Sequence, residues 1–478
     1  MNTISTAFEP AAAEEAATQS VSRNTVAARL DRLPSSSPVW KMVLLLSLGG
    51  FFEFYELFST AYVLPGMIRS GILEPTPASV FAFNGAAAYV AATFAGLFIG
   101  TFSFGFVADK LGRRSVFTYS LLWYSACSIL VASQDSAIWL DFWRLMTGIG
   151  LGVELVAIDA YLSELVPAHM RGKAFALNQV ITYLAVPAVA LISRVLVPLE
   201  PFGHEGWRWV LAIGAVGSVV VWFLRLGLPE SPRWLASAGR LEEADRVVKD
   251  LEARVVRQTG RALAAPVPVS TSVDDKRGSF REIWSARYAP RTAMLLIFHV
   301  FQTIGIYGFS QWVPLFLTRQ GVNLDDSLAY GAVISCVTPL GPLLALAFAD
   351  KIERKWQIAI AAIVSCIAGL QFAGAREPAA IVACGVFVNL SATIISLNFH
   401  AYQAELFPTR VRALAVGFVY SISRVTGIMS SFLIAFVLGR YGAPAALTLI
   451  ASSMGIVALT IGLLGPKTRG RSLEEINH

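Results

Sequence analysis

The sequence predicts an all-α membrane protein of twelve transmembrane helices arranged as two six-helix repeats. Three observations carry this. Of the 478 residues, 55% are hydrophobic and only 15% charged, where a soluble chain carries about 25% charged residues; the mean hydropathy is +0.60. Apolar runs of the ~20 residues that a spanning helix needs recur twelve times, six on each side of one long polar segment. Two motifs also recur at a single offset of 241 residues, about half the chain, which is the mark of a duplicated unit.

In chain order, the tail 1–40 contains an acidic pair, Glu14 and Glu15, and lacks the basic-then-apolar order of a cleavable signal peptide. A first bundle, 41–228, holds apolar runs near 42–63, 79–106, 116–133, 138–165, 174–198 and 208–228. The segment 229–289 reads as a cytoplasmic linker. Its LEEADRVVKDLEARVVRQ has helical periodicity with mixed charge, and RALAAPVPVSTSVDD after it reads as flexible. A second bundle, 290–465, holds runs near 290–317, 327–349, 356–375, 379–404, 413–438 and 442–464, and 466–478 form a short tail. Loops after spans 2, 4, 8 and 10 carry Lys110/Arg113/Arg114, Arg171/Lys173, Lys351/Arg354/Lys355 and Arg410/Arg412. The loops on the other side carry at most one basic residue each: Arg69, Arg319, Arg376 or Arg440. Positive loops stay inside, so both termini are expected in the cytoplasm.

The repeat is explicit. VADKLGRRS from Val107 returns as FADKIERKW from Phe348, and YLSELVPAHMRG from Tyr161 returns as YQAELFPTRVRA from Tyr402. Asp109 to Asp350, Glu164 to Glu405 and Arg171 to Arg412 each span 241 residues. Two such halves, related by an axis along the membrane normal, are one architecture of secondary transporters.

These residues resemble the major facilitator superfamily over nearly the whole chain. GFVADKLGRR, Gly105 to Arg114, matches its G-x-x-x-D-[RK]-x-G-[RK]-[RK] signature, and Arg144 with Gly148, Gly150 and Gly152 resembles the R-x-x-x-G-x-G-x-G run of span 4. PESPRWL from Pro229 and the closing PKTRGRSLEEI resemble sugar-porter elements, with Lys467 where those carry Glu. RLDRLP followed by FFEFYELF looks like the bacterial metabolite:proton symporter branch. The departures are Glu353 in place of the signature glycine, Asp159 in place of the proline closing span 4, and FQTIGIYGFSQWVP in span 7. They point away from a hexose.

Ionisable groups inside hydrocarbon cost about 2.5–3.5 kcal/mol on insertion scales, so each is first read as functional. Glu53 and Glu56 lie three residues apart on one face of span 1, ~18–22 Å from Lys41 at ~1.5 Å per residue. With Glu154 and Asp159 on span 4 they are the candidate proton-coupling acids, because a carboxyl in a closing cavity changes its proton affinity with the side it faces. The competing reading is a static ion pair with Arg424. Arg424 on span 11 offers a guanidinium to a substrate carboxylate; its repeat mate is Tyr183, so the charge is asymmetric. Gln302, Tyr307 and Gln311 of span 7 and Asn389, Asn398 and His400 of span 10 are the polar substrate candidates. Spans 1, 4, 7 and 10 line the cavity in the superfamily that this chain resembles. Asp109, Arg113, Arg114, Glu164 and Arg171, mirrored by Asp350, Arg354, Glu405 and Arg412, are expected to latch the halves at the cytoplasmic side and to release when the cavity opens inward.

The net charge of +6 sits in topology-setting clusters and does not imply nucleic acid. The four cysteines lie in apolar runs without metal spacing, and no GxxxxGK[ST] loop or nucleophile–base set occurs. No cofactor, metal or enzymatic activity is expected. The expected function is proton-coupled uptake of a small organic acid or related metabolite by a monomer in the bilayer. A facilitative or proton-coupled sugar transporter and a proton-driven drug exporter stay open beside it.

Overall fold

The structure, a computed structural model, describes residues 25–74, 85–266, 279–348 and 352–468, without the side chains of 103–109, 345–348, 409 and 413. A short helix α1 (25–31) precedes six spans: α2 (Ser37–Arg69), α3 (Ala86–Leu111), α4 (Arg113–Ala132), α5 (Ala137–Leu165), the pair α6 (Arg171–Tyr183) and α7 (Ala185–Leu196), and α8 (Gly206–Arg225). The polar segment forms α9 (Pro232–Ser237) and α10 (Leu241–Thr259). The second half repeats the plan with α11 (Ala289–Ser310) and α12 (Val313–Arg319), α13 (Leu324–Ser335) and α14 (Leu340–Phe348), α15 (Arg354–Gly374), α16 (Pro378–Glu405) and α17 (Thr409–Leu459).

Among the described residues, ten helical stretches are long and apolar enough to cross a membrane. The 26-residue α3 adds an eleventh. A twelfth comes from α17, whose 51 residues turn back at Gly442 (φ 81°, ψ 175°), a backbone that only glycine adopts without strain, two residues before Pro444. The split spans have one physical cause. Pro187, Pro314 and the Pro339/Pro342 pair lack the N–H that would continue the ladder, and each helix breaks just ahead of them. Large apolar side chains such as Val216, Phe223, Ile360, Ile367 and Phe387 stay exposed around the outside, where lipid covers them.

Three apolar cores position the site. One is shared by both halves and joins the outer parts of α2 and α7 to α12 and α13, with Tyr62, Val186, Phe316 and Ala332 in it. At the end bearing the basic loops the cores are separate, one around Phe117, Leu162 and Met170 and one around Phe298, Tyr402 and Val411. The halves are therefore packed together at one end and independently cored at the other. Within the first half, Cβ atoms added at Gly148 and Gly152 would meet the α3 backbone, at 2.6 Å from the Thr93 carbonyl for Gly148, so the span-4 glycines let α3 and α5 touch backbone to backbone.

The linker helix belongs to the first half. α10 buries Ala244, Val248, Leu251 and Val255 in the core of that half, and its charged face meets α1. Arg29 donates to Asp245 (2.5 Å) and Glu252 (2.7 Å), and Arg32 to Glu252 (2.6 Å). Asp31 accepts from Arg233 and from the Ala168 N–H, both at 2.8 Å. Glu230 accepts from the Arg113 and Arg114 N–H groups (both 3.0 Å) and so caps α4. In the second half Glu353, at the position matching Gly112, accepts from the Thr468 N–H at 2.7 Å.

Candidate functional site

Between the two halves lies a cavity of about 1260 Å³, counting the space open to solvent. Its wall brings together Glu53, Asp159 and Tyr183 from the first half with Gln302, Tyr307, Asn389, His400 and Arg424 from the second. Two pairs of repeat mates meet there, since Asp159 and His400, like Tyr183 and Arg424, are 241 residues apart. Aromatic rings make the rest of the surface. Phe54 packs edge-on against Tyr183 (centroids 5.3 Å apart), and Tyr307 reaches across the halves to Phe94 (5.0 Å). Toward the closed end, the Tyr62 hydroxyl donates to the Gly331 carbonyl at 3.4 Å.

Arg424 is the cation of this cavity. It is 2% exposed, donates from Nη2 to the Tyr420 hydroxyl (2.9 Å) and lies 4.9 Å over that ring, while its buried Nε has no partner. The static pair considered from the sequence, a span-1 glutamate with Arg424, is not formed. Glu56 instead binds Arg144 at 2.5 Å, whose other nitrogens reach Thr93 Oγ1 (2.9 Å), the Glu56 carbonyl (2.9 Å) and Thr60. Glu53 faces the cavity with Oε1 unpartnered. The two acids expected to share one face are thus split, one open and one in a dry ion pair. Span 4 shows the same division, with Asp159 open to the cavity and Glu154 bound to Arg225 (3.1 Å).

Of the other polar candidates, Gln302, Tyr307, Asn389 and His400 are on the wall. Asn389 spends its amide nitrogen on Thr338 Oγ1 (2.9 Å) and the Ile334 carbonyl (3.0 Å). Gln311 and Asn398 serve packing: Gln311 donates to the Leu57 carbonyl across the halves (3.4 Å), and Asn398 to Ile394 on its own helix (2.9 Å). His299, placed away from the coupling site by the sequence, contacts Gln403 (3.1 Å).

Sequence reasoning missed two arginines as ion-pair partners. Arg144 was visible only as a motif letter, and Arg225, inside the run 208–228, was not singled out. A signal for Arg225 exists in Gly49, because a Cβ there would overlap the guanidinium that donates to the Leu45 and Leu46 carbonyls (both 3.1 Å).

At the basic-loop end, Arg113 pairs with Glu164 (3.3 Å) and Arg354 with Glu405, each within its own half. The latch is expected to join the halves only while the cavity faces away from these loops, and at this end the cores of the two halves are separate. Arg171 and Arg412 make matching bonds to the Val166 and Phe407 carbonyls (3.4 and 3.3 Å), and Arg114 donates to the Leu226 carbonyl (2.7 Å). Asp350 and the Asp109 side chain lie outside the described residues.

A model of the family described as "Sugar (and other) transporter" matches residues 42–478. The putative metabolite transport protein YyaJ of Bacillus subtilis is 30% identical over 451 residues, covering 94% of this chain and 97% of that one. The niacin transporter NiaP of Acinetobacter baylyi is 26% identical over 453 residues, covering 94% and 98%. Among solved structures, the xylose transporter XylE from E. coli in a partially occluded inward-open conformation superposes with a TM-score of 0.74 at 18% identity, covering 91% of this chain and 100% of that one.

Proposed function

Because this chain belongs to the sugar (and other) transporter family, being a metabolite transporter of the major facilitator fold and not an enzyme, we propose that it is a proton-coupled symporter that takes up a small organic acid by alternating access. The observation that carries the reading is Arg424, a buried guanidinium on the cavity wall without a carboxylate partner and with an unsatisfied Nε. A buried cation calls for a counter-charge, and the planar fork of arginine suits a carboxylate. Aromatic walls around it suit a flat apolar body. The relative named as a niacin transporter is consistent with this, niacin being a pyridine carboxylic acid.

Proton coupling follows from the charge of the load. Closing the cavity over an anion and an ionised Glu53 adds net negative charge to a low-dielectric space, while an anion with one proton is a neutral load. Glu53 and Asp159, which face the cavity, are the groups placed to exchange that proton with its water. Glu56 of α2 and Glu154 of α5 pair in this structure with Arg144 of α5 and Arg225 of α8. Gln302, Tyr307, Asn389 and His400 orient the polar edge of the substrate. When the cavity faces the other side, the loops close and Arg113, Arg354 and their partners come together, with the bundles rocking as bodies. In this reading the protein sits in the bacterial inner membrane with both termini in the cytoplasm.

A sugar is the second reading, favoured by the amide-bearing wall of Asn178, Gln179, Gln302 and Asn389 and by the likeness to a xylose transporter. The deciding experiment is uptake into proteoliposomes of a panel of carboxylates and sugars, with and without an inward proton gradient. Carboxylates should accumulate only with the gradient, and Arg424→Gln should abolish this. Gradient-driven uptake of pentoses or hexoses alone, indifferent to Arg424→Gln, would overturn the organic-acid reading.

A further inference from the structure

Among the described residues, one buried carboxyl takes no part in this scheme. Asp141 stands in the second turn of α5, toward the end opposite the basic loops, is 8% exposed, and neither of its oxygens has a partner. Its neighbours Ile138, Trp139 and Phe142 are turned out toward lipid, so Asp141 points the other way, on the face it shares with Leu140 and Arg144. One helical turn deeper, a rise of ~4.5 Å, Arg144 holds Glu56. On α3, the Tyr89 ring packs 5.1 Å from the Arg144 guanidinium, and its buried hydroxyl is also unpartnered.

Asp141 on α5 and Tyr89 on the helix packed against it, α3, are both buried without partners, and each such group costs free energy that a bond would recover. Here they form a broken line. It runs from the outer turn of α5, past Tyr89, to the Glu56–Arg144 pair, and from there one turn along α2 to Glu53 in the cavity. In a folded site that never changes shape, an apolar residue would serve better at position 141. In one that parts at this end during each cycle, a carboxyl there meets water once per turnover.

We propose that Asp141 is the outer proton acceptor of the transporter, the group through which protons from the side opposite the basic loops reach the Glu56–Arg144 pair; this rests on the proton-coupled reading above. A proton from water binds the Asp141 carboxylate when the halves part. It then passes to the Tyr89 hydroxyl oxygen, which releases its own proton to the Glu56 carboxylate and so breaks the Arg144 Nη1–Oε1 bond. One proton moves inward, Asp141 returns to its carboxylate form, and the Arg144 charge stays held by Thr60, Thr93 and the Glu56 carbonyl.

The test needs no transported solute. Purified protein in lipid nanodiscs is given a pH step, and protonation of its buried carboxyls is followed by infrared difference spectroscopy of the carboxylic C=O stretch. Asp141→Asn should remove one band and slow protonation of Glu56 by about 10²-fold, the smaller end of what a positioned proton-transfer group contributes, while Glu53 and Asp159 on the open cavity keep their rates. Asp141→Glu should keep the fast phase, and Tyr89→Phe should slow it while leaving the Asp141 band. Unaltered rates in both Asp141→Asn and Tyr89→Phe would overturn the proposal. Because the readout is protonation of the protein itself, it decides even where no carboxylate proves to be transported, which would count against the organic-acid reading alone.

Discussion

Arg225→Met tests whether Glu154 is a brace or a free acid. The pair is dry, with side chains 1% and 0% exposed, and the guanidinium also donates to two α2 carbonyls and lies 3.8 Å over the Phe117 ring. Removing the cation strands a carboxylate in the bundle, and breaking a buried pair in this way costs about 3–5 kcal/mol. Glu154→Leu strands the arginine and should cost about the same. The double variant Arg225→Met/Glu154→Leu removes both charges, and replacing a buried pair by apolar side chains is often close to neutral, within about 1 kcal/mol. The double should therefore be more stable than either single. Unfolding by SDS in mixed micelles, followed by tryptophan fluorescence, measures all four corners of the cycle. Losses that simply add in the double variant would refute the pairing. Gly49→Ala, whose methyl would overlap the guanidinium, should mimic the Arg225 loss without touching either charge.

Four further outcomes follow from the same geometry. Arg424→Gln should weaken binding of a transported carboxylate by about tenfold to 150-fold, the 1.5–3 kcal/mol range of hydrogen bonds to charged groups, as read by titration calorimetry; unchanged affinity would remove Arg424 from the site. Gly148→Val forces α3 and α5 apart and should cost about 1–3 kcal/mol in the SDS assay. Docking of α1 on α10 should be indifferent to pH from neutral to about 5 and fail below about 4. Asp245 is held below its ordinary value by hydrogen bonds from Lys249 and then Arg29, and Glu252 also sits low because bonds from Arg29 and Arg32 outweigh the upward push of burial. A depressed carboxyl stabilises above its unfolded value and loses that contribution as pH falls through its folded one, so amide protection in 25–31 that vanishes between pH 7 and 5 would contradict the assignment. Finally, Glu353→Gly should loosen the tail at Thr468, and adding Lys467→Glu should restore it, measured as protease resistance at the C-terminal end.

The architecture was legible because its signals are collective. Twelve apolar runs, alternating loop charge and a constant offset between two motifs each involve many residues, so the proline breaks in spans 5, 7 and 8 did not hide them. The cavity was partly legible. Arg424, Glu53, Asp159 and His400 stand out as polar groups in hydrocarbon, and depth along a helix places Glu53 and Arg424 near one level, with Asp159 and its repeat mate His400 shallower. The sequence does not say which way each turns. Glu53 and Glu56 sit three residues apart and look equivalent, yet one faces the cavity and the other a buried arginine. That choice is made by α5, which presents Arg144, and nothing in the α2 sequence records it. Gln311 and Asn398 illustrate the same limit, being polar at the right depth but turned into helix contacts. The latch was read from charges that are correctly placed for it, but the pairs they form depend on which end of the bundle is open.

Gly112 and Glu353 occupy corresponding places, and a residue-by-residue comparison of the two halves would count them as a mismatch. The contact survives by exchange of sides. In the first half the acid comes from the end of span 6 and meets amides after the glycine; in the second it grows from the glycine's place and meets an amide at the end of span 12, where lysine stands. Both halves thus keep an acid closing one joint, and each draws it from a different side of that joint. A doubled unit can hold on to a contact while the residues that make it trade places.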